Sequence, residues 1–348
     1  MHEHISPKPI AVTMGCPSGI GPEIAIVAVC EARKQGIHCQ IIGDIGTLVD
    51  AAQTLGLDHA SLFASPIPAS SSSSPKEDNR VFVVETAEPL PEECRIPGQP
   101  SRAGGIAQLS WINHATDLAA RGRVAALVTG PVSKEVIAHS GAPGSEGFAG
   151  HTEHIANRVG AKSPVMVFVA DCFAVSLATT HVAVRNIASD LTIQRVFQAT
   201  TETVRLLARL GLKRPRVAVA ALNPHAGEGG LLGEEETTII APAIAQAKTW
   251  ATSRQHDSVI DGPIPAEGAF RNAFDGAYDG VVAMYHDQGT IPMKTQFFGR
   301  AVNVTAGLPI VRTSVDHGTA YDIAGQGKAD AGSMIEAIRL AFRLSRED

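Results

Sequence analysis

The stretch "VVAMYHDQG" (residues 281–289) joins an apolar run to a group of polar side chains, and it is the best guide to the fold. Its first residues are typical of a buried strand, whereas His286, Asp287 and Gln288 are polar and a glycine follows. Two other runs end in the same way. "FAVSLATTH" (173–181) ends at His181, and "VAVAALNPH" (217–225) ends at His225. The pattern predicts buried strands with functional side chains at their carboxyl ends.

Short apolar runs alternate with helical patterns along most of the chain. The strand-like runs are "PIAVTM", "CQIIGD", "RVFVVE", "VAALVTG", "FAVSLATT", "RVAVAAL" and "GVVAMY". A helical example covers residues 193–207, where apolar side chains recur at helical spacing and stop before Gly211. This alternation predicts an α/β fold, in which helices cover the faces of a mostly parallel sheet.

Composition excludes several classes of protein. The chain has 348 residues, 44% of them apolar, and a formal net charge of -6. This size favours two lobes. The acidic balance argues against nucleic acid as a partner. We expect a cytoplasmic protein without a membrane segment, because the first residues lack the pattern of a signal peptide.

The five cysteines show no C-x-x-C pair and are interpreted as ordinary thiols. The serine-rich residues 69–80 predict a surface loop.

The three histidines at strand ends are candidate metal ligands. Ligands bind outside the carboxyl ends of strands in open α/β sheets, so His181, His225 and His286 could converge on one site. Imidazole is a common ligand for a zinc-like cation. The alternative for each histidine is a loop residue with an ordinary hydrogen bond. Asp287 could orient a ligand or act as a base, or it could be a turn residue before Gly289.

Other residues suit an anionic substrate. "GHTEHIANRVG" places His151 and Thr152 at a predicted helix start, where the helix dipole favours phosphate, although Thr152 could be only an N-cap residue. Lys294, Asn303 and Arg312 follow the His286 segment and could bind a carboxylate or a phosphate. Taken singly, each is more often a solvated surface residue. The glycine-rich "MGCPSGIGPEI" is a weak signal for a nucleotide.

Several of these motifs together resemble one enzyme family. They are "GCPSGIGPE", "GHTE", "TTH", "LNPHAGEGG", "AMYHDQG" and "VNVTAGLPIVRTSVDHGTA". In this order, from Val12 to beyond Ser333, they resemble the 4-hydroxythreonine-4-phosphate dehydrogenase family of pyridoxine biosynthesis.

The resemblance implies a two-lobed α/β/α fold like that of isocitrate and isopropylmalate dehydrogenases, with the active site in the interdomain cleft. We expect residues 1–135 and 300–348 to form the first lobe and residues 136–299 to form the second. The implied reaction is oxidation of 4-phosphooxy-L-threonine, a small phosphorylated hydroxy acid, by NAD or NADP. The implied assembly is a homodimer whose subunits share the ligands of a divalent metal, with zinc favoured over magnesium or cobalt.

The resemblance also implies roles for individual residues. The metal ligands fall on His181, His225 and His286. The substrate-binding residues fall on His151, Thr152, Lys294, Asn303 and Arg312. We expect His286, Asp287 and Lys294 to be the catalytic residues. The segment "HGTAYDIAGQGKAD" is similar to a loop by which isopropylmalate dehydrogenases contact the adenosine half of NAD. That likeness implies that His317, Gly318 and Asp322 lie near the cofactor.

Some positions depart from the family pattern and keep alternatives open. Cys16 replaces a usual acid, Ser133 replaces a common histidine, and Glu267 and Gly268 follow "GPIPA" where many members have Asp and Thr. A related enzyme that oxidatively decarboxylates 4-phospho-D-erythronate or 4-phospho-D-threonate is the closest alternative. A three-histidine metal hydrolase or aldolase and a non-catalytic phosphosugar-binding protein are alternatives of other classes.

Overall fold

The computed structural model describes residues 8–64, 67–68, 80–86 and 88–346. Most of the predicted serine-rich loop, residues 69–79, lies outside these residues. The chain divides into a terminal unit, Met1–Lys162 with Leu308–Asp348, and a central unit, Ser163–Gly307. Two segments thus belong to a different unit from the one predicted from the sequence. Residues 136–162 join the terminal unit, where Arg158 pairs with Asp117 at 2.6 Å, and residues 300–307 join the central unit.

The terminal unit contains a parallel sheet, in which each described strand runs parallel to its neighbours. Its strands, in order across the sheet, are β3 (Ile67–Pro68), β4 (Phe82–Glu85), β2 (Cys39–Ile42), β1 (Ile10–Thr13), β5 (Ala126–Thr129) and β12 (Arg312–Ser314). β1 and β5 are buried along their whole lengths. Such continuous burial is typical of a parallel sheet with helices on both faces.

Helices connect these strands. They are α1 (Gly21–Lys34), α2 (Ile45–Thr54), α3 (His59–Leu62), α4 (Arg102–Ala120), α5 (Lys134–Ala138), α6 (His151–Arg158) and α12 (Gly332–Ser345), with a 3₁₀ turn at Glu92–Cys94. Side chains cap several of them. Asp44 accepts a hydrogen bond from the N–H of Thr47 at 2.7 Å, and Ser101 accepts one from Gly104 at 3.0 Å. Such caps satisfy N–H groups that have no partner inside the helix.

The central unit contains a mixed sheet. Its strands, in order, are β11 (Val302–Ala306), β6 (Val165–Ala170), β7 (Phe173–Leu177), β10 (Gly280–Ala283), β8 (Arg216–Ala220) and β9 (Val259–Ile264). The last four are mutually parallel, whereas β6 is antiparallel to both β7 and β11. Only two residues connect β6 to β7, and so short a connection forces an antiparallel pair. The expected mostly parallel sheet is confirmed with this exception.

Helices cover both faces of the central sheet. They are α7 (Ile187–Asp190), α8 (Ile193–Arg209), α9 (Ala241–Ser253), α10 (Ala266–Phe274) and α11 (His286–Gln296), with a 3₁₀ turn at Val184–Asn186, a left-handed turn at Pro224–Gly230 and a π turn at Glu236–Ile240. On one face, Val175 and Val281 pack with Phe270 of α10 and Met293 of α11. On the other, the hydroxyl of Ser176 contacts Thr203 of α8 at 2.5 Å. The helix predicted over residues 193–207 is confirmed.

The two-lobed α/β fold predicted from the sequence is confirmed. Each helix in the described ranges is too short or too polar to cross a lipid bilayer.

Candidate active site

Three neighbouring strands of the central unit end at one edge of the sheet, and a histidine follows each of them. β10 lies between β7 and β8 and runs parallel to both. His181 follows β7, His225 follows β8, and His286 follows β10 as the first residue of α11. Because parallel strands have their carboxyl ends at the same edge, all three histidine-bearing segments start from that edge.

His181 and His286 lie side by side, with ring centroids 5.9 Å apart. Nδ1 of His286 lies 2.7 Å from Oδ1 of Asp287. If Nδ1 donates its proton to this carboxylate, Nε2 keeps its lone pair for a metal. The two histidines and Asp287 therefore fit a pair of metal ligands, one of them oriented by a carboxylate.

Asp287 and Gly289 lie in a helix. The alternative prediction of a turn at this position is therefore wrong. A Cβ atom added at Gly289 would lie only 2.6 Å from Cδ2 of Leu177 and 3.1 Å from Cβ of Ala283. The absence of a side chain thus lets α11 pack closely on β7 and β10. Close packing at this point fixes the helix turn that carries His286 and Asp287.

His225 lies in an exposed loop with an uncommon backbone. Residues 225–229 all have positive φ, from 46° at Glu228 to 78° at Gly227. Residues other than glycine rarely adopt this left-handed backbone conformation. Within the described ranges, no three His, Cys, Asp or Glu side chains are grouped so that they could hold a metal ion. One chain brings His181 and His286 together without His225, and ligand sharing between subunits stays a prediction.

Gln288 links two of the strand ends through hydrogen bonds, a role that was not predicted from the sequence. Its Oε1 accepts a hydrogen bond from the N–H of Met284 at 2.6 Å, and its Nε2 donates to the carbonyl of Ala221 at 2.7 Å. Met284 follows β10 and Ala221 follows β8, so one side chain links the segments that lead to two histidines. The available signal was an amide side chain beside a strand end, because an amide can pair with two backbone groups at once.

We expect Gln288→Met to lower the free energy of unfolding by about 1–3 kcal/mol, because two partly buried backbone groups lose their partner. Urea unfolding would measure this change. The exposed Gln296, also in α11, is the matched control, and Gln296→Met should have little effect. Equal effects of the two substitutions would contradict the linking role.

Lys294 and Asn303 belong to the central unit. Lys294 is half-buried in α11, and Asn303 lies on β11. Among the residues that the structure describes, Oδ1 of Asn303 is buried without a hydrogen-bond partner. A buried carbonyl oxygen of this kind is suited to a donor that the protein itself does not supply.

Arg312 supplies a buried positive charge in the terminal unit. It lies on β12 and is 2% exposed. Its Nη2 donates to Oγ1 of Thr129 at 2.7 Å, and its Nη1 donates to Oγ1 of Thr152 at 3.4 Å. Burial lowers the pKa of Arg312 to about 10, although the charge of Glu153 opposes the shift. The guanidinium therefore stays protonated at neutral pH, against the first turn of α6.

His151 and Thr152 are the first two residues of α6, and Gly150 is the N-cap residue. The interpretation of Thr152 as the N-cap is therefore wrong, and its hydroxyl contacts Arg312 instead. Burial, followed by the charge of Arg312, holds the pKa of His151 well below its usual range. Nε2 of His151 is buried and has no hydrogen-bond partner among the described residues. A neutral imidazole, a guanidinium and a helix start together suit an anion.

We expect acid to destabilise the protein through His151. Folding depresses the pKa of this residue, so unfolding takes up a proton once the pH falls below about 6.5. Its contribution to stability is present above that pH and is lost as the pH falls. The fall in Tm between about pH 7.5 and about pH 5.5 should therefore be smaller in His151→Gln than in the wild type. The exposed His139 is the control, and an equal fall in His151→Gln and His139→Gln would contradict this reasoning.

The residues predicted to lie near a cofactor share one exposed loop of the terminal unit. They are His317, Gly318 and Asp322. The same loop is fastened to α1, because the buried carboxylate of Glu23 accepts hydrogen bonds from the N–H groups of Gly325 at 2.6 Å and Gly327 at 2.9 Å. The loop is thus held beside the glycine-rich segment that opens α1.

The departures from the family pattern have different surroundings. Sγ of Cys16 lies 3.4 Å from Oη of Tyr321, so this position connects the glycine-rich segment to the loop of His317. Burial raises the pKa of the Cys16 thiol and raises the pKa of Tyr321 to about 12, so both groups are neutral at physiological pH. Ser133 caps α5. Glu267 pairs with Arg271 at 3.1 Å on the exposed side of α10.

Comparison with known proteins gives a consistent result. The family model described as pyridoxal phosphate biosynthetic protein PdxA matches residues 36–341. A 4-hydroxythreonine-4-phosphate dehydrogenase of Desulfosudis oleivorans is 40% identical over 97% of this chain and 96% of its own length. A D-threonate 4-phosphate dehydrogenase of Salmonella typhimurium is 39% identical over 97% of this chain and 99% of its own.

A solved structure agrees with the sequence comparisons. The crystal structure of 4-hydroxythreonine-4-phosphate dehydrogenase from Klebsiella pneumoniae is 38% identical, with a TM-score of 0.79 over 97% of this chain and all of its own. The resemblance noted in the sequence is thereby confirmed, and the chain belongs to the PdxA family as an oxidoreductase of the dehydrogenase type.

Proposed function

We propose that this dehydrogenase oxidises the secondary alcohol of 4-phosphooxy-L-threonine and transfers the hydride to NAD or NADP. The product is 2-amino-3-oxo-4-(phosphooxy)butanoate, a β-keto acid that decarboxylates to 3-amino-2-oxopropyl phosphate during pyridoxal 5'-phosphate biosynthesis. The buried guanidinium of Arg312 at the start of α6 is the observation that carries this proposal. A fixed positive charge beside first-turn N–H groups suits a phosphorylated acid.

The neighbours of Arg312 support an anion at this place. The lowered pKa of His151 keeps its imidazole uncharged, so the ring can share a hydrogen bond with an anion without repelling Arg312. The hydroxyl of Thr152 adds a second polar contact. Lys294 and Asn303 of the central unit are proposed as further substrate contacts, and the unsatisfied Oδ1 of Asn303 supports an acceptor role toward the substrate.

We propose that a divalent cation binds His181, His286 and His225, with zinc favoured over magnesium or cobalt. When bound, such a cation lowers the pKa of the substrate alcohol and stabilises negative charge on oxygen. The contact between Asp287 and His286 supports this role, because it leaves Nε2 free to coordinate. Lys294 is proposed as a clamp for the carboxylate or as the proton donor to the carbon that loses carbon dioxide.

The cofactor is proposed to lie along the exposed loop of the terminal unit. His317, Gly318 and Asp322 would contact the adenosine half of NAD or NADP. The hydrogen bonds from this loop to Glu23 support the proposal, because a preorganised loop loses little freedom when a ligand binds.

We propose a homodimer in which a second copy completes the metal site. The segments that follow the three histidine-bearing strands expose large apolar side chains. Val184 is 79% exposed, Leu231 is 83% exposed and Ile291 is 63% exposed. All three lie in segments that leave the same edge of the sheet, and large exposed apolar side chains there favour contact with another protein. The separation of His225 from the other two histidines within one chain supports a role for the second copy.

D-threonate 4-phosphate is the second candidate substrate, and 4-phospho-D-erythronate is a close analogue. A relative that carries the D-threonate name is almost as similar to this chain as one that carries the hydroxythreonine name. These acids keep the carboxylate, the secondary alcohol and the phosphate, but carry a hydroxyl where the threonine derivative has an amine. The anion site around Arg312 suits all of them.

The deciding experiment is nicotinamide reduction by the purified protein with each of the three substrates, with and without a chelator. Chelator-sensitive reduction with 4-phosphooxy-L-threonine alone would support the main proposal. Reduction with a sugar acid alone would favour the second candidate. Metal-dependent cleavage without nicotinamide binding would favour a hydrolase or aldolase, and binding without turnover would favour a phosphosugar-binding protein.

A further inference from the structure

We propose that Glu236 is a positioning residue that holds the left-handed loop of residues 225–229 and so presents His225. The inference rests on the proposed role of His225 in binding a metal. Glu236 lies in the π turn before α9 and is 3% exposed. A carboxylate buried this deeply needs hydrogen-bond donors around it.

The donors come from the segment that leads to His225. Oε1 of Glu236 accepts hydrogen bonds from the N–H groups of Leu222 and Asn223, both at 2.8 Å, and Oε2 accepts one from Nδ2 of Asn223 at 2.9 Å. One carboxylate thus fixes the backbone and the side chain of a residue only two positions before His225.

The same carboxylate lies against the inner side of the loop. A Cβ atom added at Gly227 would lie 2.6 Å from Oε2 of Glu236. The loop then closes on itself, because the N–H of Leu232 donates to the carbonyl of Gly227 at 3.1 Å. Glu236 therefore contacts the loop both before and after His225.

A loop of this shape needs such support. His225, Ala226 and Glu228 adopt φ values of 52°, 54° and 46°, in a region that is unfavourable for residues with a side chain. A strained backbone persists only where its surroundings fix it, and such strain is concentrated at functional sites. Burial raises the pKa of Glu236, but the hydrogen bonds from Asn223 and Leu222 outweigh it and lower the pKa overall. The ionised form therefore supports the loop.

Glu236→Gln is the direct test, because the variant keeps the shape of the side chain. The new NH₂ group would face Nδ2 of Asn223, so a donor would meet a donor. We expect amide hydrogen exchange of residues 222–230 to become at least about tenfold faster in the metal-free protein. We expect the affinity for Co²⁺, followed by its visible absorption, to fall about 10–100-fold. The exposed neighbour Glu234 gives the matched control Glu234→Gln, which should change neither quantity.

A double-mutant cycle shows whether Glu236 acts through His225. If it does, Glu236→Gln should lower Co²⁺ affinity in the wild type but cause no further loss in His225→Ala. Unchanged exchange in Glu236→Gln would overturn the proposal, and so would faster exchange with unchanged Co²⁺ affinity. If the wild type binds no Co²⁺, the proposed metal site itself fails. The exchange data, which need no metal, would still show whether Glu236 holds the loop.

Discussion

Replacing His225 by alanine should abolish nicotinamide reduction while the protein stays folded. The side chain is exposed, so its removal leaves no cavity in the core. If His225 is a ligand of the proposed metal, its loss removes several kcal/mol of stabilisation from the developing negative charge. We therefore expect kcat to fall by roughly a thousandfold or more, since each 1.4 kcal/mol corresponds to about a factor of ten.

The matched control for His225→Ala is Glu228→Ala. Glu228 is exposed in the same left-handed loop and also has positive φ. The control therefore places an alanine under the same backbone strain without removing an imidazole. We expect both variants to unfold at nearly the same temperature and only the first to lose activity. Near-normal activity of His225→Ala would contradict the metal-centred reaction.

Replacing Arg312 by methionine should weaken substrate binding strongly without destabilising the protein. We expect KM for the phosphorylated substrate to rise by roughly 10²–10³-fold, which corresponds to about 3–4 kcal/mol. Methionine fills a similar volume, and it removes a buried charge whose loss of hydration is costly. The Tm should therefore stay the same or rise, although Thr129 and Thr152 each lose a hydrogen-bond partner.

The control for Arg312→Met is Arg300→Met. Arg300 is exposed and pairs with Asp171 at 3.3 Å on the surface of the central unit. Surface ion pairs of this kind contribute little to stability, so its loss should alter neither KM nor Tm measurably. Steady-state kinetics and thermal unfolding would measure both quantities. A KM that stays normal in Arg312→Met would exclude this guanidinium from the substrate site.

Local sequence patterns predicted much of the fold. All seven strand-like runs form strands, because apolar β-branched segments bounded by polar or glycine residues have few other stable arrangements. The missed strands explain the limits of such patterns. β12 is only three residues long and begins with Arg312, a residue type that is normally solvated. β9 contains glycine and proline, and the turn between β6 and β7 lay hidden within one apolar run.

The candidate site was less predictable than the fold. Strand ends identified the histidines, because the position of a residue after an apolar run is a local property. The sequence did not identify the partners of Gln288 and Glu236, because each side chain binds backbone groups that only the folded sheet brings near. The burial of Arg312 was missed for the same reason. Local patterns therefore indicate which residues carry chemistry, whereas the residues that orient them depend on tertiary contacts.

The pairing of β6 with β11 has a consequence for how the chain folds. Val165 near the start of the central unit is the register partner of Ala306 near its end. Once these strands pair, the chain enters and leaves the central unit at neighbouring points. The folded central unit then joins the two segments of the terminal unit as a short loop would. The entropy lost in closing a loop grows with loop length. We therefore expect the central unit to form first and to speed the assembly of a terminal unit whose two segments are far apart in sequence.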